Sequence, residues 1–437
     1  MIIQQNLLKY VNLFIVFVSI FRNTCAYISI EKFGAIPDKM ETKIAEINSR
    51  SIEKAFEFAH KTKERMVYVP NRTYYIGPIE VSDLDQMYFT INGTLRAHDH
   101  IRNWPYGDDG ERKPIMNFYN MNQFVMNGRG EIDGQGYRWW WMAILSATGK
   151  TTDDRPHMIN IEKSVDFELH GLTMINSPRF HVRLQDLKNV YLHHFVIDVD
   201  VVSQREMKKK HGVPMFPLNT DGIDPYAENV RITNFQIRNY DDAIAVKPCN
   251  GGYKYCTCSS NMIISDGVVH ESVGLSIGSV PPNDEDACIR NVLFKDIQMI
   301  RPIKGIYVKT NRGTHGNGSI SHIRYENIDI DTPEWWGIYI GPQQQSQPDG
   351  KGEGCMKYPA DPDCPTEPDI TIHDIHLKNI TIRNSLNPYP GVIRCNETNP
   401  CENFVFEDVT VTTIPPMRDY ICENIGMKSI NSFPVPC

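Results

Sequence analysis

ENVRITNFQIRNYDDAIAVK occupies residues 228–247, and its two halves carry two different signals. In the first half Asn229 leads Val230 and Ile232, then Phe235 and Ile237, so apolar side chains recur at period two, as in a strand with one buried face. The same phrase returns as KNVYLHHFVID at 188–198, SNMIISDGVVH at 260–270 and IRNVLFKDIQM at 289–299. It returns again as ISHIRYENIDI at 320–330, IHDIHLKNITI at 372–382 and ENFVFEDVTV at 402–411. The spacing is mostly near thirty residues, and helical periodicity is nearly absent after residue 80. A strand that repeats at such intervals cannot bury its apolar face alone, so the repeats must stack. An all-β solenoid, the parallel β-helix, follows. A β-sandwich would instead join its strands by tight hairpins. Ser49 to Thr62 is the one good helix candidate, and it caps the N-terminal end.

The second half of the stretch opens another column. Ala243-Ile-Ala-Val-Lys247, Gly274-Leu-Ser-Ile-Gly278, Gly305-Ile-Tyr-Val-Lys309 and Gly337-Ile-Tyr-Ile-Gly341 share one frame at offsets of 31, 31 and 32 residues. If Ile244, Leu275, Ile306 and Ile338 face the core, then Ala245, Lys247, Ser276, Tyr307, Lys309 and Tyr339 face outward. Carrying the frame back by 21 residues sets Gly222 beside Ala243 and Asp221 beside Asp242, one rung apart at roughly 4.8 Å, with Asp241 at the mouth of the strand. Three carboxylates on one surface raise one another's pKa, so that one keeps a proton while another stays ionised. Glycoside hydrolysis needs that pair of states. A lone Asp in such a place would be read as a turn cap.

Composition narrows the setting. The net charge is −8, the hydrophobic fraction is 41%, and the one basic block, Lys208 to Lys210, reads as a solvated loop, so nucleic acid is not an expected partner. Residues 1–26 read as a signal peptide: Lys9, then apolar Val11 to Phe21, then Thr24-Cys25-Ala26 before the cut. The apolar run is too short to span a bilayer, so the mature chain, 27–437, is expected to be secreted and free of membrane, with a signal-anchor as the minor alternative. Removing Cys25 from eleven cysteines leaves an even ten, as suits an oxidising compartment. Spacing suggests Cys355 with Cys364, Cys395 with Cys401, Cys422 with Cys437, and Cys249 with Cys256 or Cys258. Sequons at Asn71, Asn92, Asn317, Asn379 and Asn396 permit N-glycosylation.

NTDGID at 219–224, DDAIAVK at 241–247, GLSIGS at 274–279 and YVKTNRG at 307–313, in this order, resemble the glycoside hydrolase family that contains the polygalacturonases (family 28, with the pectin-lyase-like β-helix). The resemblance runs from Tyr27 to the C-terminus. It implies a right-handed parallel β-helix in a single domain and inverting hydrolysis of a pectin-like polysaccharide without metal or cofactor. Asp241 is then the general acid, and Asp221 with Asp242 hold and activate the water. Inversion by two carboxyls asks for about 6.5–9.5 Å between acid and base.

The departures from the family pattern concern sugar recognition. Val273 stands at the family's histidine, Ala243 at its cysteine, Tyr307 at its arginine and Gln344 near its later tyrosine, while Lys309 is kept. Tyr307 cannot make the bidentate charge pair an arginine makes with a sugar carboxylate, so an altered substrate is expected, or else a glycan-binding solenoid that has lost catalysis. A lyase on the same architecture would need an arginine base and calcium-binding acids, and no such set is evident. Alternation with Val182 and Leu184 inward points His181 and Arg183 to the cleft, joining Tyr307 and Lys309 as substrate-binding candidates. His270 is a weaker one. Trp335 and Trp336, or Trp139 to Trp141, offer either a stacking platform for sugar rings or buried packing. Gln343 to Gln345 suit hydroxyl recognition. A monomer is expected, because a β-helix caps its own ends.

Overall fold

The computed structural model describes residues 27–147, 153–200, 217–313, 315–344, 355 and 358–437. The leader at 1–26, the Lys208 to Lys210 block and Gln345 lie outside them. The recurring phrase is the spine of the molecule. Val182–Asp198, Ile223–Arg238, Ser259–His270, Ala287–Ile300, Gly318–Asp331, Ile370–Ser385 and Cys401–Thr413 stack in that order, each parallel to the next. Their inward residues form ladders: Ile232, Ile264, Phe294, Tyr325, Leu377 and Phe406 are successive partners, all fully buried. Each such side chain contributes about 1.5–3 kcal/mol by leaving water, which no single coil achieves without its neighbours.

Why each phrase begins with Asn or a relative is a matter of backbone. Asn189, Asn229, Asn261, Asn291, His322, Asp374 and Asn403 all have φ between 54° and 59°, a left-handed conformation that bends the strand around a corner and that Asn and Asp tolerate best among residues with a side chain. Five residues on, a second column from Asn234 through Asp266, Asp296, Asn327, Asn379 and Asp408 does the same. The corner amides also bond along the axis: Asn229 donates to Asn189 at 3.1 Å and Asn261 to Asn229 at 3.2 Å.

The second column has the expected register. Ile244, Leu275, Ile306 and Ile338 pair in succession, as do Ala245, Ser276, Tyr307 and Tyr339. A bulge between Asp242 and Ile244 shifts the pairing with Gly274 and Leu275 by one residue. Strict alternation would turn Asp242 inward with Ile244; the extra residue puts it on the outer face with Ala245 and Lys247. Gly222 makes the bulge possible, since a Cβ there would sit 2.2 Å from the Ala243 carbonyl oxygen.

Two differences from the sequence reading are helical. The capping helix runs Thr42–Thr62, beginning before Ser49, because Ala45 extends the apolar face of Ile52, Ala55, Phe56 and Ala59; Phe56 closes the core end against Phe89 at 5.1 Å. A second helix, Tyr137–Ala147, holds the tryptophan run, with Trp139 and Trp140 fully buried, so those two rings are packing rather than platform. The disulfides are Cys355–Cys364, Cys395–Cys401, Cys422–Cys437, Cys249–Cys256 and, one coil apart, Cys258–Cys288.

Candidate active site

The acids are set by a backbone weave across four successive rungs. The His181 N–H donates to the Asp221 carbonyl at 2.8 Å, the Gly222 N–H to the Asp242 carbonyl at 2.9 Å and the Val273 N–H to the Asp241 carbonyl at 2.8 Å. Asn239 ties the two acidic segments together, its amide donating to the carbonyls of Thr220 at 2.9 Å and Asp242 at 2.8 Å. Below them Arg155, 2% exposed, bonds Pro178 O, Leu218 O and the Asn219 side chain. The Asn219 N–H in turn donates to Asp241 Oδ2 at 3.0 Å.

Within this frame Asp221, Asp241 and Asp242 bring carboxylate oxygens within 4.8 Å of one another. A fourth acid, Asp224, is fully buried beside them. Two ammonium groups balance the four: Lys309 Nζ lies 2.6 Å from Asp242 Oδ2, and Lys247 Nζ lies 3.6 Å from Asp224, 3.9 Å from Asp221 and 4.0 Å from Asp242. With all four acids ionised, two buried charges would stand uncompensated, so the site favours retained protons. Burial, then the Asp224 and Asp241 charges, hold Asp221 well above the usual carboxylate range. Burial pushes Asp224 up to about 7, and burial and the Asp242 charge raise Asp241. Asp242 goes the other way: burial alone would raise it, but the Lys309 and Lys247 charges and hydrogen bonds from Lys309 and from Ser276 (2.6 Å) bring it below its ordinary value. One face thus carries a carboxyl poised to hold a proton and a carboxylate poised to stay ionised.

One carboxylate oxygen from each of the three acids comes within 4.8 Å of the others, a closest-atom approach and not the separation of whole carboxyl groups, and neighbouring Asp221 and Asp242 can accept the two protons of one water.

Of the substrate-binding candidates, Arg183 is partly exposed on the rung before Asp224, its register partner. His181 is not on the cleft. It is fully buried, its Nε2 accepting from the Ser177 N–H and its Nδ1–H donating to the Asp221 carbonyl at 3.0 Å. Burial drops its pKa to about 4, so the ring is a neutral strut under Asp221. Tyr307 and Lys309 lie on the outer face as expected, yet at 4% and 2% exposure they are covered rather than open. Tyr307 meets Tyr339 edge-on at 5.3 Å in an apolar cluster with Trp336, Cys355, Cys364 and Val392, against which Val273 packs. Trp336 is fully buried there, whereas Trp335 is 36% exposed. Gln343 is turned to Glu367 and Gln344 to Ser279. His270 lies on the long-strand column, paired with Arg238, away from the acids.

Sequence reading passed over Asp224, Lys247 as a charge partner, Arg155 and Lys304. Asp224 was available from alternation, being outward if Ile223 is inward. Lys304 Nζ lies 3.8 Å over the Tyr307 ring and 4.4 Å over Tyr339; only the fold shows that the tyrosines make a seat for it.

The model of the glycosyl hydrolases family 28 matches residues 60–431. The chain belongs to that family. Among family 28 relatives, a polygalacturonase of Cryptomeria japonica is 25% identical over 88% of this chain and 66% of its own length, and one of Juniperus ashei is 28% identical over 69% and 54%. The chain therefore spans about half to two thirds of these relatives. Solved structures share the fold: the polygalacturonase from Erwinia carotovora ssp. carotovora (TM-score 0.64, 22% identity, 87% of this chain and 93% of that one) and the endo-xylogalacturonan hydrolase from Aspergillus tubingensis (0.69, 19%, 93% and 100%). The architecture is their parallel β-helix.

Proposed function

We propose that this family 28 chain is a secreted glycoside hydrolase that cleaves a pectin-like polysaccharide by single displacement with inversion. Asp241 gives its proton to the leaving oxygen, and Asp221 with Asp242 hold the water that attacks the opposite face of the sugar. The observation that carries this reading is the split among neighbouring carboxyls, Asp241 raised and Asp242 lowered within one 4.8 Å cluster, which is the division of labour that acid-base hydrolysis needs. Five disulfides support an oxidising, extracellular setting.

The substrate carries carboxylates on both sides of the cut. Arg183 flanks the acids on one side, and Lys304 flanks them on the other, two rungs and roughly 10 Å along the axis. Burial, then the Lys309 charge, lowers Lys304 to about 7, so below that pH it is the cation on the side where Tyr307 replaces arginine. Because Tyr307 stands where the family has arginine and Lys304 supplies the cation there instead, a changed pectic substrate, such as a substituted galacturonan, is favoured over an unaltered one. The test is reducing-sugar release from polygalacturonate, xylogalacturonan, rhamnogalacturonan and neutral glycans, with proton NMR of the first product. Release confined to acidic glycans with an inverted anomer supports the reading; a retained anomer would mean a covalent intermediate on Asp221 or Asp242. Binding without release from any of them would make the protein a glycan-binding solenoid.

A further inference from the structure

Away from the acids, on the long-strand column, Glu168 and His170 of the strand Val165–His170 meet His193 of Val182–Asp198. The two strands are parallel neighbours, with Glu168 opposite Tyr191 and His170 opposite His193. Phe167, Leu169 and Leu192 are buried in the core, so Glu168, His170, Tyr191 and His193 share the outer face. The rings of His170 and His193 stack at 4.8 Å with 9° between their planes. Both present Nε2 to one carboxylate oxygen, Glu168 Oε1, which is 3.1 Å from His193 and 3.8 Å from His170. One ligand atom from each of the three falls within 4.8 Å of the others.

We propose that Glu168, His170 and His193 form a binding site for a divalent first-row transition ion of the zinc type, separate from the catalytic acids. Two imidazoles and one carboxylate are a donor set that suits Zn²⁺ and disfavours Mg²⁺ or Ca²⁺, which take oxygen ligands. Tetrahedral coordination at about 2.0–2.1 Å needs ligand atoms about 3.3–3.5 Å apart, and the two contacts to Glu168 already bracket that separation, so a small tilt of the rings completes it. The side chains are between 16% and 35% exposed, leaving a face open for water as fourth ligand. His193 also has the outer partner that metal-bound histidines use to fix their tautomer: its Nδ1 lies 2.8 Å from His194 Nδ1. His194 stands at a left-handed corner, φ 52°, where the column otherwise favours Asn or Asp. The ion would clip one coil to the next.

The experiment is zinc titration of the chelator-treated full-length protein, by calorimetry and by competition with a chromophoric chelator, beside thermal unfolding. One equivalent bound by the wild type, lost in His170→Ala/His193→Ala and in Glu168→Gln, weakened about 10-fold or more in His194→Ala, and raising the unfolding temperature only of the wild type, is the expected result. Failure of the wild type to take up zinc, or uptake by His170→Ala/His193→Ala equal to that of the wild type, would overturn the site. Hydrolytic activity is expected to be the same with and without zinc, so this test is independent of the catalytic proposal.

Discussion

Replacing Lys309 by Met removes the cation paired with Asp242, one of the two carboxyls proposed to hold the attacking water. Lys309 Nζ lies 2.6 Å from Asp242 Oδ2, and the two side chains are 2% and 1% exposed, so solvent screens the pair little. At an effective dielectric of about 20 their attraction is about 6 kcal/mol, and Lys247, at 4.0 Å, retains about 4 kcal/mol of comparable attraction for Asp242. Removing one partner of such a buried pair costs about 3–5 kcal/mol. Without Lys309, burial pushes the Asp242 pKa up past its unfolded value near 3.9. A raised acid makes the native state bind more protons than the unfolded one, so the variant's deficit grows as pH rises above about 4 and is smallest below it. Denaturant unfolding followed by tryptophan fluorescence at pH 4 and pH 7 measures this. Activity at mildly acidic pH falls about 10²–10⁴-fold, with the acidic limb of the profile displaced upward. The double variant Lys309→Met/Asp242→Asn regains most of the stability and none of the activity. Loss under 1 kcal/mol at pH 7, or a double variant as unstable as the sum of its singles, would refute the reasoning.

Other consequences follow from the same geometry. Asp221, Asp224 and Asp241 are all raised in the folded protein, so stability declines as pH rises from about 4 to about 7, by about 1.4 kcal/mol per pH unit for each group titrating, and Asp224→Asn flattens that slope; a flat wild-type profile would contradict it. Lys304→Met raises KM for acidic oligosaccharides with little change in kcat, and the wild-type KM rises above pH 7 as Lys304 loses its charge; unchanged KM would remove Lys304 from recognition. At the corner, Asn261→Ala costs about 1–2 kcal/mol because of its φ of 57°, whereas Asn261→Gly is nearly neutral in denaturant unfolding.

The fold was legible because its signals are local and repeated. Asn229, Asn261 and Asn291 mark corners, and the offset Ile244, Leu275, Ile306 and Ile338 frame gives register from sequence alone. The acidic trio was legible for the same reason, although the bulge that turns Asp242 outward was not, since one extra residue between columns leaves no pattern. Exposure was the harder matter. Period two says which face Tyr307 and Lys309 occupy and is silent on what covers it; here the covering comes from the distant Cys355–Cys364 and Val392 segments. His181 misled for a related reason, since at the strand's entry its ring turns back to the Asp221 carbonyl.

The central claim is that Asp241 is the general acid of a glycoside hydrolase, and the most direct measurement is reducing-sugar release from an acidic pectic polysaccharide by wild type and Asp241→Asn, with both proteins shown to unfold at the same temperature. Release by the wild type and a loss of about 10²–10⁴-fold in the variant is the predicted result. Equal release by the two, or none by a folded wild type on any pectic substrate, would contradict it.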